Sequence, residues 1–157
     1  MRSRRGSGGR GLSATPDLRR FRDAQAGGIY ERALAELRAG RKTGHWMWFI
    51  FPQLSGLGRS ATARHYALES LTEAHAYLAD PVLGPRLRES CQALLALPAS
   101  ATAEGVLGSI DALKLRSCAT LFARASAEDG VFGEIIDRFY GGSPDEATLR
   151  LFGGASG

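Results

Sequence analysis

The sequence predicts a mainly α-helical fold, organised as a single multihelical domain of about seven short helices. Apolar residues recur at helical spacing in most segments, and helix-capping residues precede several of these stripes. No segment shows the clear alternation of apolar and polar residues that a half-buried strand requires. The 157 residues, of which 44% are hydrophobic and 23% charged, have the size and composition of one globular domain.

The first third of the chain contains signals for two helices. Thr15-Pro16-Asp17 combines an N-cap residue, a proline suited to the first helical position and an acid at the positive end of the helix dipole. A second apolar stripe covers residues 29–37 and is followed by Gly40, a residue typical of a helix C-cap. We therefore expect one helix to begin at Thr15-Pro16 and a second to end at Gly40.

Residues 46–51 form the longest apolar run of the chain. They are apolar on every face, so periodicity does not separate a buried strand from a buried helical turn. A single strand would have no partner in a helical domain, and this favours the helical turn. Pro52 ends the run, and a loop rich in glycine and serine follows it.

The second half of the chain is predicted to be helical throughout. Ser70 and Glu73 have the spacing of a capping box, in which the serine oxygen and the glutamate satisfy backbone donors. The apolar face of a longer helix includes Leu113, Ser117 and Leu121. This longer helix is expected to begin near residues 109–111, and others at Asp80-Pro81 and at Ser143-Pro144-Asp145-Glu146. A further apolar stripe contains Phe132, Ile135, Ile136 and Phe139.

The formal net charge of +4 lies in the first ten residues, which contain four arginines and no acid. The rest of the chain is balanced, with 16 basic and 16 acidic residues. We expect residues 1–14 to form a disordered basic tail of Gly, Ser and Arg, and residues 15–153 to form the domain. Domains that bind nucleic acid usually carry an excess of positive charge, and residues 11–157 carry none, so no specific nucleic-acid partner is expected.

Several other classes of protein are not expected. No apolar stretch approaches the ~18–20 residues that span a bilayer, and the basic N-terminus is not followed by the apolar segment of a secretory signal. We therefore expect a cytoplasmic protein without a membrane partner. The two cysteines, Cys91 and Cys118, cannot complete a zinc site alone and are expected to be buried thiols. No metal or cofactor is predicted.

Among 20 basic residues only Lys42 and Lys114 are lysines. An ammonium can act as a compact point charge on a phosphate or carboxylate. A helix would place Asp111, Lys114 and Ser117 on one face. The alternative is an ordinary surface ion pair between Asp111 and Lys114, and spacing alone favours that alternative.

The chain's two tryptophans lie near Lys42 and His45. Indole rings often line a pocket or anchor a core, and the core interpretation is the more frequent one for Trp46 and Trp48. His45 has a side chain able to act as a general acid or base near neutral pH, although a lone histidine is more often structural. With the glycine-rich loop nearby, this cluster suits a heteroaromatic or anionic ligand.

Four segments carry a resemblance to a known family. The longest is His45-Trp46-Met47-Trp48-Phe49-Ile50-Phe51-Pro52-Gln53, and its composition is rare. Gly56-Leu57-Gly58, Lys114-Leu115-Arg116-Ser117 and Thr120-Leu121-Phe122 accompany it. On these motifs the chain is identified, from about residue 17 to 151, as a member of a family of uncharacterised bacterial proteins, domain-of-unknown-function family eighteen-ten. The resemblance implies a mainly α-helical fold and no established activity, substrate or cofactor.

Two further labels bear on function. Some genomes name such proteins calpastatin, but calpastatin-type inhibitors are long, disordered and repetitive, whereas this chain is short and core-rich. A fainter similarity exists to the α-helical family, related to NAD and ADP-ribose, that includes riboflavin-pathway N-glycosidases. That similarity implies an N-glycosidic or phosphate-containing substrate, with N-glycosidic cleavage as the first reaction to test.

The sequence thus supports two hypotheses from different classes. The first is a site for a small anionic or nucleotide-like molecule, with or without a reaction on it. The candidate catalytic residues are His45, Asp111 and Lys114, and the candidate ligand-binding residues are Lys42, Trp46, Trp48, Gln53, Ser60, Tyr66 and Ser117. The alternative is a non-catalytic protein-interaction module. The first requires the polar candidates to surround one hollow, and the second leaves them scattered.

Overall fold

The structure, a computed structural model, describes residues 16–156, and within this range the protein is built from ten helices and no strand. The mainly α-helical prediction is therefore confirmed. The predicted basic tail, residues 1–14, lies outside the described residues. The helices are α1 (Arg19–Ala24), α2 (Ile29–Ala39), α3 (Met47–Ile50), α4 (Ala61–His65), α5 (Leu71–Ala79), α6 (Leu83–Leu95), α7 (Ala103–Leu107), α8 (Ser109–Ala125), α9 (Gly130–Tyr140) and α10 (Glu146–Ser156).

The described residues contain ten helices where about seven were expected, and three of the very short ones, α3, α4 and α7, account for the difference. Helices α1, α3, α4 and α7 have between four and six residues each. One turn and a half offers too few apolar positions for a stripe to stand out from a loop. The six longer helices correspond to the stripes that the sequence shows.

The apolar run forms the favoured helical turn, α3, and buries Met47 and Ile50. The residues after it make the only extended pairing of the described range, a parallel bridge between Leu54 and Leu68. Leu68 N donates to Gln53 O at 2.9 Å, and Ser55 N donates to Leu68 O at 2.7 Å. This bridge closes the glycine-rich loop at its base and was not predicted.

Two predicted helix starts differ in detail from the structure. Helix α1 begins at Arg19 instead of Pro16, and Asp17 accepts a hydrogen bond from Arg19 N at 3.0 Å. Thr15, the expected N-cap, lies outside the described residues. The Ser70 hydroxyl accepts from Glu73 N at 3.2 Å, as a capping box requires, but the Glu73 carboxylate accepts from Glu69 N instead of Ser70 N.

Helix α8 is the centre of the domain, and α5, α7, α9 and α10 all pack against it. Its Phe122 ring lies 5.5 Å from the ring of Tyr77 and 5.5 Å from that of Phe132, centroid to centroid. Its first turns are different: Leu113 is 61% exposed, although helical periodicity assigned it to the buried face. The first turns of α8 therefore expose the face that carries Leu113, while Ala112 and Leu115 in the same turns are buried.

The described helices show no feature of a membrane span, since none combines the length and the apolar character that crossing a bilayer requires. Both cysteines, Cys91 and Cys118, are buried free thiols, as expected. Within residues 16–152, no three His, Cys, Asp or Glu side chains are grouped so that they could hold a metal ion.

Helices α5 and α6 approach each other closely at a glycine. A Cβ on Gly84 would lie 2.1 Å from the carbonyl oxygen of Leu78. This is a backbone atom, so no side-chain rotation can relieve the clash. In contrast, a Cβ on Gly133 in α9 would meet nothing within 4 Å. The two glycines are a matched pair inside helices, one required by packing and one not.

We expect Gly84→Ala to lower the free energy of unfolding by about 1–3 kcal/mol, because the overpacked methyl group must push α5 and α6 apart. Gly133→Ala should raise it by about 0.5–1 kcal/mol, since alanine is the better helix former and finds open space. Urea unfolding of both variants measures these changes. A neutral Gly84→Ala would contradict the close packing of α5 against α6.

Candidate functional site

Two lysines from distant parts of the chain meet at one carboxylate. Lys42 Nζ lies 2.9 Å from Asp111 Oδ2, and Lys114 Nζ lies 3.2 Å from Asp111 Oδ1. We call this cluster the Lys42–Asp111–Lys114 triad. Its net charge is +1, because two ammonium groups share one carboxylate.

The local structure explains how the triad is assembled. Lys42 follows α2, and its backbone N–H donates to Val106 O at 2.8 Å, which ties this segment to α7. Gly108, with φ of +90°, turns the chain sharply from α7 into α8. Asp111 then stands in the first turn of α8, where the helix dipole favours a negative charge, and Lys114 follows one turn later.

The triad is largely shielded from water. The exposed fractions of the side chains are 11% for Lys42, 16% for Asp111 and 21% for Lys114. Burial disfavours the charged carboxylate, but the hydrogen bonds from Lys42 and Lys114 outweigh burial and hold the pKa of Asp111 below its usual range. Asp111 is therefore a carboxylate at neutral pH, and both of its oxygens already accept from ammonium groups.

The two tryptophans have different roles. Trp46 is buried in the core at 4% exposure, and its Nε1 donates to Glu36 Oε1 at 2.9 Å. Trp48 is only partly buried, and the Lys114 ammonium lies 4.5 Å from the centroid of its ring. Lys42 Nζ also lies 5.2 Å from the centroid of the Trp46 ring, so both rings contact the triad. Trp48 lines the clefts, whereas Trp46, a predicted ligand-binding residue, is buried in the core.

Glu36 on α2 supports the segment that carries Lys42 and His45. Its carboxylate accepts from Thr43 N at 2.8 Å, Gly44 N at 2.9 Å and the Trp46 indole, and also from the Thr43 hydroxyl at 2.9 Å. Burial raises its pKa, but these hydrogen bonds outweigh burial and lower the pKa to about 2. Sequence reasoning missed Glu36, because its partners lie seven to ten residues further on in an irregular segment.

Two adjoining clefts open beside the triad. The first cleft has a volume of about 380 Å³ and is lined by Lys42, His45 and Asp111 together with the first turn of α8. The second has a volume of about 450 Å³ and is lined on its polar side by Gln53, Arg59, Ser60, Lys114, Ser117 and Asp145. Trp48 and Ile110 line both clefts and form the wall between them.

The remaining candidates lie at the edge of the second cleft. The Ser60 hydroxyl caps α4 by accepting from Ala63 N, and the buried Ser117 hydroxyl donates to Leu113 O, so both hydroxyls are engaged. Tyr66 borders a gap of about 10 Å³ beneath Trp48 and packs on Phe49, with ring centroids 5.4 Å apart. The structure therefore brings nine of the ten candidates to the walls of these neighbouring spaces, and Trp46 is the exception.

Several polar side chains on the cleft walls have no hydrogen-bond or ion-pair partner among the described residues. Of the residues described, His45, Gln53 and Arg59 make no side-chain hydrogen bond or ion pair with another described residue. His45 and Arg59 are exposed, and Gln53 is partly buried. Sequence reasoning did not select Arg59 as a site residue, although it lies in the loop rich in glycine and serine that follows Pro52.

The fold and the clefts define a small all-α domain with a positively charged site on its central helix. A family model described as "Protein of unknown function (DUF1810)" matches residues 15–152, and the chain belongs to this family, as the sequence motifs predicted. It is similar to the conserved hypothetical protein Rv1873 from Mycobacterium tuberculosis, whose crystal structure superposes with a TM-score of 0.83. The two are 47% identical over 86% of this chain and 95% of that chain. No curated protein matches the chain significantly.

The hydrogen bonds of Glu36 predict a defined dependence of stability on pH. The pKa falls from its ordinary value of 4.5 to about 2 on folding, so the folded chain binds fewer protons than the unfolded one. The contribution of Glu36 is fully present above about pH 4.5 and is lost as the pH falls towards 2. We expect Glu36→Gln to lower the free energy of unfolding at pH 7 and to differ progressively less from the wild type below pH 4.5.

Urea unfolding at pH 7, 4.5 and 3 measures this convergence. Glu31→Gln is the matched control, because Glu31 is an exposed carboxylate on the same helix. A Glu36→Gln deficit that stays constant across this range would contradict the assigned hydrogen bonds.

Proposed function

We propose that the two clefts bind a small anionic, nucleotide-like molecule. The single observation that carries this proposal is the Lys42–Asp111–Lys114 triad, in which one carboxylate neutralises only one of two ammonium groups. Each ammonium has three N–H donors and makes one ion pair here, so donors remain for a further acceptor. An incoming phosphate or carboxylate would balance the remaining positive charge.

The dimensions and the walls of the clefts support a small molecule as the occupant. Volumes of about 380 and 450 Å³ lie within the ~300–1,000 Å³ that small-molecule sites occupy. The indole of Trp48 adds an aromatic surface at the point where the clefts meet. A molecule with a ring and an anionic group uses both of these properties.

The alternative, a non-catalytic protein-interaction module, requires the polar candidates to be scattered on the surface. Lys42, His45 and Asp111 instead line one cleft, and Lys114 bonds to Asp111 while lining the next. This arrangement supports the ligand site over the interaction module.

A reaction on the ligand is supported by His45. It is exposed on the wall of the first cleft, which Asp111 also lines, and an imidazole can act as a general acid or base. We propose N-glycosidic hydrolysis as the reaction. Water supplies a hydroxyl group to the anomeric carbon and a proton to the departing ring nitrogen, and His45 would relay that proton.

Lys114→Ala should leave the fold nearly intact but abolish stabilisation by ligands. Asp111 keeps its ion pair with Lys42, so we expect the melting temperature of the free protein to fall by about 4 °C or less. A thermal-shift screen with nucleotides, sugar phosphates and free sugars compares the variant with the wild type.

Arg38→Ala is the matched control for this screen, since Arg38 is an ion-paired cation that lines neither cleft. It should keep every shift of the wild type. Equal shifts in wild type and Lys114→Ala would rule out the triad as the anion site.

His45→Asn tests the reaction separately from binding. Asparagine retains hydrogen bonding but cannot exchange a proton at pH 7, so the variant should still be stabilised by nucleotides while releasing no free base. Chromatography of reaction mixtures with nucleoside monophosphates measures the base released. A wild-type protein that is stabilised by nucleotides and releases no base would refute the hydrolysis and leave the binding proposal intact.

A further inference from the structure

An exposed apolar surface borders both clefts. Ile110 is 71% exposed and Leu113 is 61% exposed, one turn apart on α8. Within residues 16–152, Val82 at 37% is the one other large apolar side chain that is exposed. Both side chains lie at the rim of a charged site and face water. A ligand that covered them would gain the free energy of burying their apolar surface.

The second cleft has an apolar wall and a polar wall. Leu113 continues the apolar wall, which also contains Trp48, Leu57, Ala63 and Ala147. The polar wall carries the ammonium of Lys114, the guanidinium of Arg59 and the amide of Gln53, together with the Asp145 carboxylate, which already accepts from Thr148 N and the Thr148 hydroxyl. A purely ionic ligand such as inorganic phosphate would leave the apolar wall in water, and an uncharged apolar ligand would leave Arg59 without an ion-pair partner and the excess positive charge of the triad unbalanced.

The polar groups indicate the chemistry of each end of the ligand. Arg59 has no ion-pair partner among the described residues, and guanidinium and ammonium groups together match the charge of a phosphate. The Gln53 amide offers both a donor and an acceptor next to the Trp48 ring. An alkyl chain has no atoms to pair with an amide, whereas a heteroaromatic ring has nitrogen and oxygen atoms at its edge.

We propose that the second cleft selects a heteroaromatic monophosphate, with Ile110 and Leu113 as the residues that determine specificity. The phosphate contacts Arg59 and Lys114, and the ring lies against Leu113, Ile110 and the edge of Trp48. This inference rests on the proposed function and goes further, because it divides recognition between an anion site and an apolar surface. It therefore predicts that the ring contributes to affinity separately from the phosphate.

Calorimetric titration with adenosine 5′-monophosphate, ribose 5-phosphate and adenosine tests this division. The wild type should bind adenosine monophosphate at least tenfold more tightly than either fragment. Ile110→Ser and Leu113→Ser should each weaken binding of the nucleotide about fivefold to tenfold, because each removes part of the apolar contact with the ring. Binding of ribose 5-phosphate should change less than twofold in both variants.

Val82→Ser is the matched control, since it removes an exposed apolar side chain that lines neither cleft, and it should bind all three probes as the wild type does. Because Ile110 and Leu113 are exposed, their serine variants should melt like the wild type. Equal affinity for the nucleotide and ribose 5-phosphate, or a nucleotide affinity unchanged by both serine variants, would overturn this inference while the anion site stands. A wild type that binds neither phosphate would overturn the proposed function itself.

Discussion

The Asp111 carboxylate is the interaction on which the rest of the site depends. Two ammonium groups with side chains only 11% and 21% exposed would repel each other, and each would be costly to shield from water. The Asp111 carboxylate offsets both the repulsion and the loss of hydration, because it pairs with the ammonium groups of Lys42 and Lys114 at the same time. In doing so it links the segment after α2 to the first turns of α8, so the same contact that stabilises the charges also brings distant parts of the chain together.

The position of the site follows from the course of α8. This helix packs against other helices and buries Ala112 and Leu115 in its first turns, while Ile110 and Leu113 on another side of the same turns face solvent. Polar side chains placed there can be shielded on one side and accessible on the other. Trp48 then divides the accessible space into two clefts, and the Lys114 ammonium over its ring holds the indole beside the cationic group. Charge and aromatic surface are thereby combined at one place.

The fold could be predicted from the sequence because its main signals are local. Ser70 caps α5, Asp80 accepts hydrogen bonds from the backbone N–H groups of Val82 and Leu83 at the start of α6, and Gly40 ends α2 with φ of +74°. Each of these signals depends on a few neighbouring residues. Four residues are too few to show a periodicity, so the helical turn at Met47–Ile50 is favoured only because a single strand would have no partner. The bridge between Leu54 and Leu68 could not be predicted, because it depends on a loop closing over residues with no pattern of their own.

Helical spacing placed Asp111, Lys114 and Ser117 together, since that relation is local, but the meeting of Lys42 with Asp111 depends on tertiary packing. Trp46 and Trp48 are equivalent in the sequence, yet residues two apart in a helical turn point in nearly opposite directions, so one enters the core and the other reaches the cleft. Leu113 is the most instructive difference. Periodicity assigned it to the buried face with Leu121, but residues eight apart are rotated by about 80° on a helix, and the buried face of α8 runs through Ala112, Leu115 and Phe122.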